Sequence, residues 1–229
     1  MTGLTERAGD FQFEPNEAIQ RAHQAWEESM IRQVDALREE VRQRDAASLT
    51  RLAGANLQGN ELHLSYWGRQ AAITLPGLEG RFLAPEMPFS VFDLSLLLYY
   101  LKMADGMPLA DRWISFRELP GGAFYNQAFQ GYSGDRLAKA VGEHPRLFEA
   151  AAKALGGERL SGLAEYAYAF QPLPMIRLAA VLWLGDDEFP SRAAVLFDAA
   201  ASHYMTTDGL AVLGSGLVSR IIKRAAALR

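Results

Sequence analysis

Residues Val91–Met103, VFDLSLLLYYLKM, are apolar nearly all round a helix. A helix without a polar face has to be covered on every side, so it lies between layers that the rest of the chain must supply. Ser90 stands where an N-cap belongs, and Asp105-Gly106 with Pro108 stops the helix. Asp93 and Ser95 are its polar exceptions, facing either a polar centre or the first turn.

The covering layers show two periods. Ile19, Ala22, Trp26, Met30, Val34, Leu37 and Val41 form one stripe at helical spacing. With Asn16 as its cap, this predicts a long helix to about Arg51 after a flexible lead over residues 1–15. The stripe packs on its own domain or on a second copy of the chain. Leu57–Tyr66 and Gln70–Leu75 then alternate in strand fashion around Trp67-Gly68-Arg69, a hairpin signal. Trp113–Leu119 alternates as a central strand would. Pro120-Gly121-Gly122 after it is turn chemistry and predicts positive φ at one glycine or both. Short helices follow at Gly134–Val141 and Pro145–Leu155, and a strand at Ala164–Phe170. Ala179–Leu184 and Ala193–Phe197 form a hairpin closed by the acidic corner Asp186, Asp187, Glu188. A last helix starts near Thr207-Asp208. Sequential hairpins imply antiparallel pairing. The expected fold is α+β: a single domain over residues 16–229 with a mostly antiparallel sheet. A long N-terminal helix, a buried central helix and a C-terminal helix flank it.

Several function classes fall away. A net charge of −4 gives no basic field for nucleic acid. Without cysteine there are no disulfides, thiolate metal sites, iron–sulfur ligands or cysteine nucleophiles. No apolar run approaches the ~20 residues of a membrane span, and the N-terminus lacks the apolar core of a secretory signal. A cytoplasmic protein is expected. No phosphate-loop pattern occurs, and Gly214-Ser215-Gly216 lies inside a helix with Ser219 in place of a third glycine, so it is no dinucleotide signal.

The chemistry concentrates at the end of the second hairpin. Asp198 closes an apolar strand, small residues follow, and His203 and Tyr204 come next. The small residues leave room for a cavity in which His203 serves as ligand, base or donor. The alternative is a satisfied core histidine, with Asp198 capping a turn. The acidic corner is a solvated hairpin tip or, with further oxygen ligands, a cation site.

Two segments, WISFRELPGGAFYNQAFQGYSGDRLAK at 113–139 and LWLGDDEFPSRAAVLFDAAASHYMTTDGLAVLG at 182–214, resemble the family catalogued as domain of unknown function 3786. That family is associated with anaerobic bacteria and archaea. The resemblance runs over about residues 20–222 and implies no established activity. Some members carry an additional iron–sulfur domain like that of corrinoid iron–sulfur proteins. This implies redox, one-carbon or tetrapyrrole metabolism. A cysteine-free chain cannot hold such a cluster, so an iron–sulfur protein would be its partner.

Three hypotheses follow. The first is a ligand-binding domain with a pocket between the 113–129 and 182–204 segments, built from His203, Tyr204, Asp198, Arg117, Glu118, Gly121, Gly122 and Tyr125. The ligand would be a small molecule, including haem or a corrinoid with His203 as axial ligand. Trp113, Phe116, Phe124, Tyr125, Phe129, Trp183 and Tyr204 either face that flat ligand or form core. The corrinoid signature Asp-x-His-x-x-Gly is absent. The second is an acid–base enzyme in which Asp198 orients His203, with Glu118, Arg117 and Tyr125 assisting. The third is a structural partner protein, a homodimer through its N-terminal helix.

Overall fold

The computed structural model describes the backbone of residues 15–229 and the side chains from Glu28 onward. Helix α1 spans Pro15–Arg42, so Asn16 lies within it and does not cap it. The lead before Pro15, and the side chains of Ile19, Ala22 and Trp26, lie outside the described residues. From Val34 on the stripe behaves as its spacing predicts: Val34, Leu37 and Val41 are buried.

The helix does not continue to Arg51. It stops at Arg42, and the Asp45 carboxylate accepts the Ser48 N–H at 2.8 Å to start α2, Ala46–Leu52. At the break, the Arg44 guanidinium donates to the carbonyls of Leu101, Lys102 and Ala104 at 2.6, 2.9 and 2.6 Å. These carbonyls end the next helix and have no intrahelical partner. Arg44→Leu should therefore cost about 1.5–3 kcal/mol, the range for hydrogen bonds to a charged group. An unchanged denaturation midpoint would show that water serves those carbonyls as well.

The first sheet is a meander of β1 Asn56–Gln58, β2 Glu61–Tyr66, β3 Arg69–Thr74, β4 Gly80–Leu83 and β5 Glu86–Pro88, each antiparallel to the next. The run expected as one strand over Leu57–Tyr66 is two, because the chain turns at Gly59 with φ 60°. Trp67 and Gly68 close the β2–β3 hairpin with φ 52° and 74°, the double positive φ of a two-residue type I′ turn. Leu62, Leu64 and Tyr66 alternate inward from β2.

Helix α3, Val91–Met103, carries buried residues on all sides, including Leu94, Leu97, Leu98, Tyr100 and Leu101, and it packs against α1. Its polar exceptions belong to its first turn. Ser90 Oγ accepts the Asp93 N–H at 3.0 Å, and Ser95 Oγ donates to the Phe92 carbonyl at 2.7 Å.

The second sheet has the order β6-β10-β9-β8-β7, all antiparallel: β6 Trp113–Ser115, β7 Glu158–Arg159, β8 Tyr166–Leu173, β9 Ile176–Trp183 and β10 Arg192–Asp198. The β9–β10 hairpin closes through the acidic corner as expected, with Trp183 opposite Arg192. Trp113–Leu119 is not a central strand. Its strand part is three residues long, on the sheet edge, and a 3₁₀ turn takes over at Phe116–Glu118. Glu118 Oε2 accepts both the Ser115 N–H, at 2.7 Å, and the Ser115 Oγ–H, at 2.8 Å, which overrides the alternation.

Helices α4 Gly122–Tyr132, α5 Gly134–Val141, α6 Pro145–Ala154 and α7 Thr207–Ala226 complete the chain. The Pro120-Gly121-Gly122 turn has the predicted positive φ, 71° at Gly121. Gly122 has another reason to be glycine: a Cβ there would stand 1.9 Å from the Phe116 carbonyl oxygen. One main cluster of buried side chains runs from α1 through both sheets to α7. The Trp67 N–H donates to the Pro172 carbonyl at 2.9 Å, joining the two sheets by backbone. The architecture is α+β, with two sheets where one was expected. No described helix is long and apolar enough to cross a membrane.

Candidate functional site

Strand β10 delivers Asp198 to a buried position, and a 3₁₀ turn, Ala201–His203, follows. The segment between α3 and β6 lies against this corner. Asp198 Oδ1 accepts the N–H groups of Ala110 and Ala200, each at 2.9 Å, and the Ala199 N–H donates to the Arg112 carbonyl at 2.9 Å. Asp198 thus caps a turn and ties it to the neighbouring loop. Tyr204 is buried, stacks on Tyr100 with centroids 5.7 Å apart, and donates its hydroxyl to the Met107 carbonyl. Burial, aided by the nearby charge of Asp105, pushes its phenol above the ordinary value.

His203 is neither a core residue nor a partner of Asp198. Its Nδ1 lies 2.7 Å from Oδ2 of Asp105, and its side chain is 38% exposed. Asp105 Oδ1 also accepts the Met107 N–H at 2.9 Å. Partial desolvation pushes the Asp105 carboxyl up. The hydrogen bonds from His203 and Met107, with the charge of His203, outweigh it and hold the carboxyl below its usual range. Its stabilising share is therefore complete above the ordinary aspartate value of ~3.9 and is lost as pH falls through the lowered one. Against an ionised carboxylate Nδ1 carries the proton, a tautomer assigned from this pairing. That leaves the Nε2 lone pair free, and among the described residues Nε2 has no hydrogen-bond partner.

The other expected site residues belong to the 3₁₀ turn after β6 and to the start of α4. The Pro120 carbonyl accepts from Thr207 Oγ1 at 2.7 Å, so the Pro120-Gly121-Gly122 turn docks on the start of α7, just after the His203 turn. The Gly122 N–H is already used by the Leu119 carbonyl at 2.8 Å. Glu118 caps Ser115, and the Ser115 N–H it accepts holds its carboxyl below the usual range. Arg117 and Tyr125 are exposed.

The aromatic residues do not converge on a slot. Phe116 and Phe129 stack on each other at 4.2 Å and pack against Phe197, all within the core. Phe124 is 94% exposed. Trp113 and Trp183 pack around Ala167, Ala179 and Val181, in a cluster separate from the main core. A flat macrocycle therefore has no aromatic slot among these residues. The acidic corner is an exposed hairpin tip, in which Asp186 Oδ1 accepts the N–H groups of Glu188 and Phe189 at 2.9 and 2.8 Å. Among the described residues no cluster of three or more His, Cys, Asp or Glu could hold a metal ion.

Asp105 escapes a sequence reading. It lies 98 residues from His203, and Asp105-Gly106 reads only as a helix stop. The family model described as Domain of unknown function (DUF3786) matches residues 45–220, from the cap of α2 to the last third of α7. Neither the curated proteins nor the solved structures give a match.

Proposed function

The chain belongs to the DUF3786 family, and we propose that it works as a cytoplasmic ligand-binding domain with His203 as its donor. The observation that carries this is the 2.7 Å pairing of His203 Nδ1 with Asp105 on a partly exposed ring. A carboxylate behind an imidazole fixes the ring, sets its tautomer and raises the basicity of the other nitrogen. Nε2 can then accept a hydrogen bond from a ligand or give its lone pair to a metal centre. Haem iron and corrinoid cobalt are such centres, and His203 would be their axial ligand. With the aromatic residues divided between the core, a separate cluster and the open surface, the macrocycle proposal rests on the imidazole alone. Any iron–sulfur chemistry would come from a partner.

Haemin and aquocobalamin, titrated separately and followed by absorbance, test this. A saturable spectral change is expected with the wild type. His203→Ala and His203→Phe should abolish it with little change in melting temperature, because the ring is partly exposed. Asp105→Asn should weaken it about 10–100-fold, the usual effect of losing a carboxylate behind a ligating histidine. An undiminished change in His203→Ala rules His203 out as the donor.

The same pair is also the arrangement of a general base, with Asp105 in the role first given to Asp198. Turnover of any substrate should then show an acid limb that His203→Ala removes. A dimer through α1 would cover Ile31, which is 47% exposed. A solution mass equal to one chain excludes that arrangement.

A further inference from the structure

Arg220 sits on α7 with its guanidinium carbon 3.9 Å from the centre of the Trp67 indole. The residue is half-buried, yet no described carboxylate lies within ion-pair distance of it. Its one hydrogen bond among the described residues runs from Nη1 to the Gly216 carbonyl at 3.2 Å, one turn back in the same helix. The carboxylate whose charge reaches it, Asp93, is occupied: Oδ1 accepts from the Tyr66 hydroxyl at 2.8 Å and Oδ2 from Ser90 at 2.6 Å. A half-buried cation in this position is costly unless something anionic meets it.

Two backbone features hold the stack in place. Trp67 occupies the left-handed region at φ 52°, where a bulky side chain is an outlier and asparagine or glycine is usual. Strain of this kind concentrates at ligand sites. Gly216 interrupts a helix interior, where glycine is unfavourable. A Cβ there would lie 3.1 Å from Arg220 Nη1 and 3.6 Å from Trp67 Cζ2, so the missing side chain makes room for the guanidinium.

Beside the stack runs a groove of about 540 Å³, within the size range of small-molecule sites. Leu155, Pro174 and Leu217 give it an apolar wall, and Gln70 and Gln171 add amides. Glu158 also lines it, and its carboxylate lies 3.9 Å from Arg177. The guanidinium is planar and presents its N–H groups as a fixed fork, the geometry for a bidentate oxyanion, and the indole contact holds it beside the groove.

We propose that this groove binds a small organic anion, its carboxylate or phosphate on the edge of Arg220 and its apolar body along Leu155 and Leu217. The site is separate from His203 and independent of the function proposed there.

Indole N–H signals of the folded, full-length protein provide the test, with Trp67 assigned through Trp67→Phe. The probes are benzoate, phenyl phosphate and the uncharged benzyl alcohol. Benzoate or phenyl phosphate should shift the Trp67 signal saturably and leave Trp113 and Trp183 unmoved. The anion that shifts it identifies the head group. Benzyl alcohol should have at least tenfold less effect at equal concentration. Arg220→Met, which keeps the stem and removes the charge, should weaken binding at least tenfold. A Trp67 signal indifferent to both anions overturns the proposal. So does an equal response to benzyl alcohol, or undiminished binding by folded Arg220→Met. The wild-type titrations decide the matter even if that variant does not fold.

Discussion

Phe129→Ala should remove about 3–5 kcal/mol of stability, the range for truncating a fully buried phenylalanine. At this chain length that is about 2–4 °C of melting temperature per kcal/mol. Phe129 lies on α4 with no exposed surface. Its ring stacks on Phe116 at 4.2 Å and 15°, meets Tyr132 edge-on at 5.6 Å and packs against Phe197 at 5.8 Å. The facing position on α7 is Gly214, where a Cβ would stand 2.9 Å from the ring. Two elements have thus given up volume to seat one ring: α7 has no side chain there, and the 3₁₀ turn lays Phe116 flat on it. A cavity at this point can collapse little, which places the loss toward the upper part of the range. A loss below about 1 kcal/mol would show that the neighbouring helices close over the gap. Phe116→Ala should behave similarly, and the double variant should cost less than the sum, because each change removes the same stack.

That stack also shows where sequence patterning stops. Helix α3 was legible because every signal for it is local: a serine cap, unbroken apolar periodicity and a glycine just past the end. The β2–β3 and β9–β10 hairpins were legible from alternation around a turn. Over Trp113–Leu119 the same alternation meets a competing signal and yields to it. Ser115 and Glu118 stand at capping-box spacing, and they turn the chain before the strand can lengthen. The break near Arg44 has only the Asp45 cap as its local mark, and the three carbonyls that Arg44 serves there belong to the end of another helix.

Periodicity assigns strands but not partners. The pattern therefore gave antiparallel pairs and did not divide them into two sheets. The site followed the same logic. His203 stood out because polar residues after an apolar strand and a run of small side chains are conspicuous. Asp105 did not, because a loop aspartate before glycine already has an ordinary explanation as a helix stop. Arg220 does not stand out either, because a cation toward the end of a helix has an ordinary explanation in the helix dipole. Only the fold brings Trp67 over it.

Asp198→Ala should cost about 2–6 kcal/mol, because one buried oxygen serves two amides and each orphaned N–H costs ~1–3 kcal/mol. Asp198 Oδ1 accepts from Ala110 and Ala200, and the carboxylate is almost wholly buried. Ala110 belongs to the segment that carries Asp105, and Ala200 leads into the turn that carries His203. The carboxylate therefore fastens the two halves of the His203–Asp105 pair to each other without hydrogen-bonding to either side chain. Asp198→Asn separates the two roles. Its amide oxygen can still accept both N–H groups, but it lacks the charge that strengthens such bonds. It should cost less than Asp198→Ala and leave His203 in register with Asp105. The readout beyond stability is the imidazole itself. Across a pH titration, the His203 ring signals in Asp198→Asn should follow the wild type. In folded Asp198→Ala they should move toward those of Asp105→Asn. If Asp198→Ala destabilises the protein while the His203 titration stays that of the wild type, Asp198 supports the fold alone. The Asp105 segment would then hold its place through Tyr204, whose hydroxyl reaches the Met107 carbonyl two residues further on.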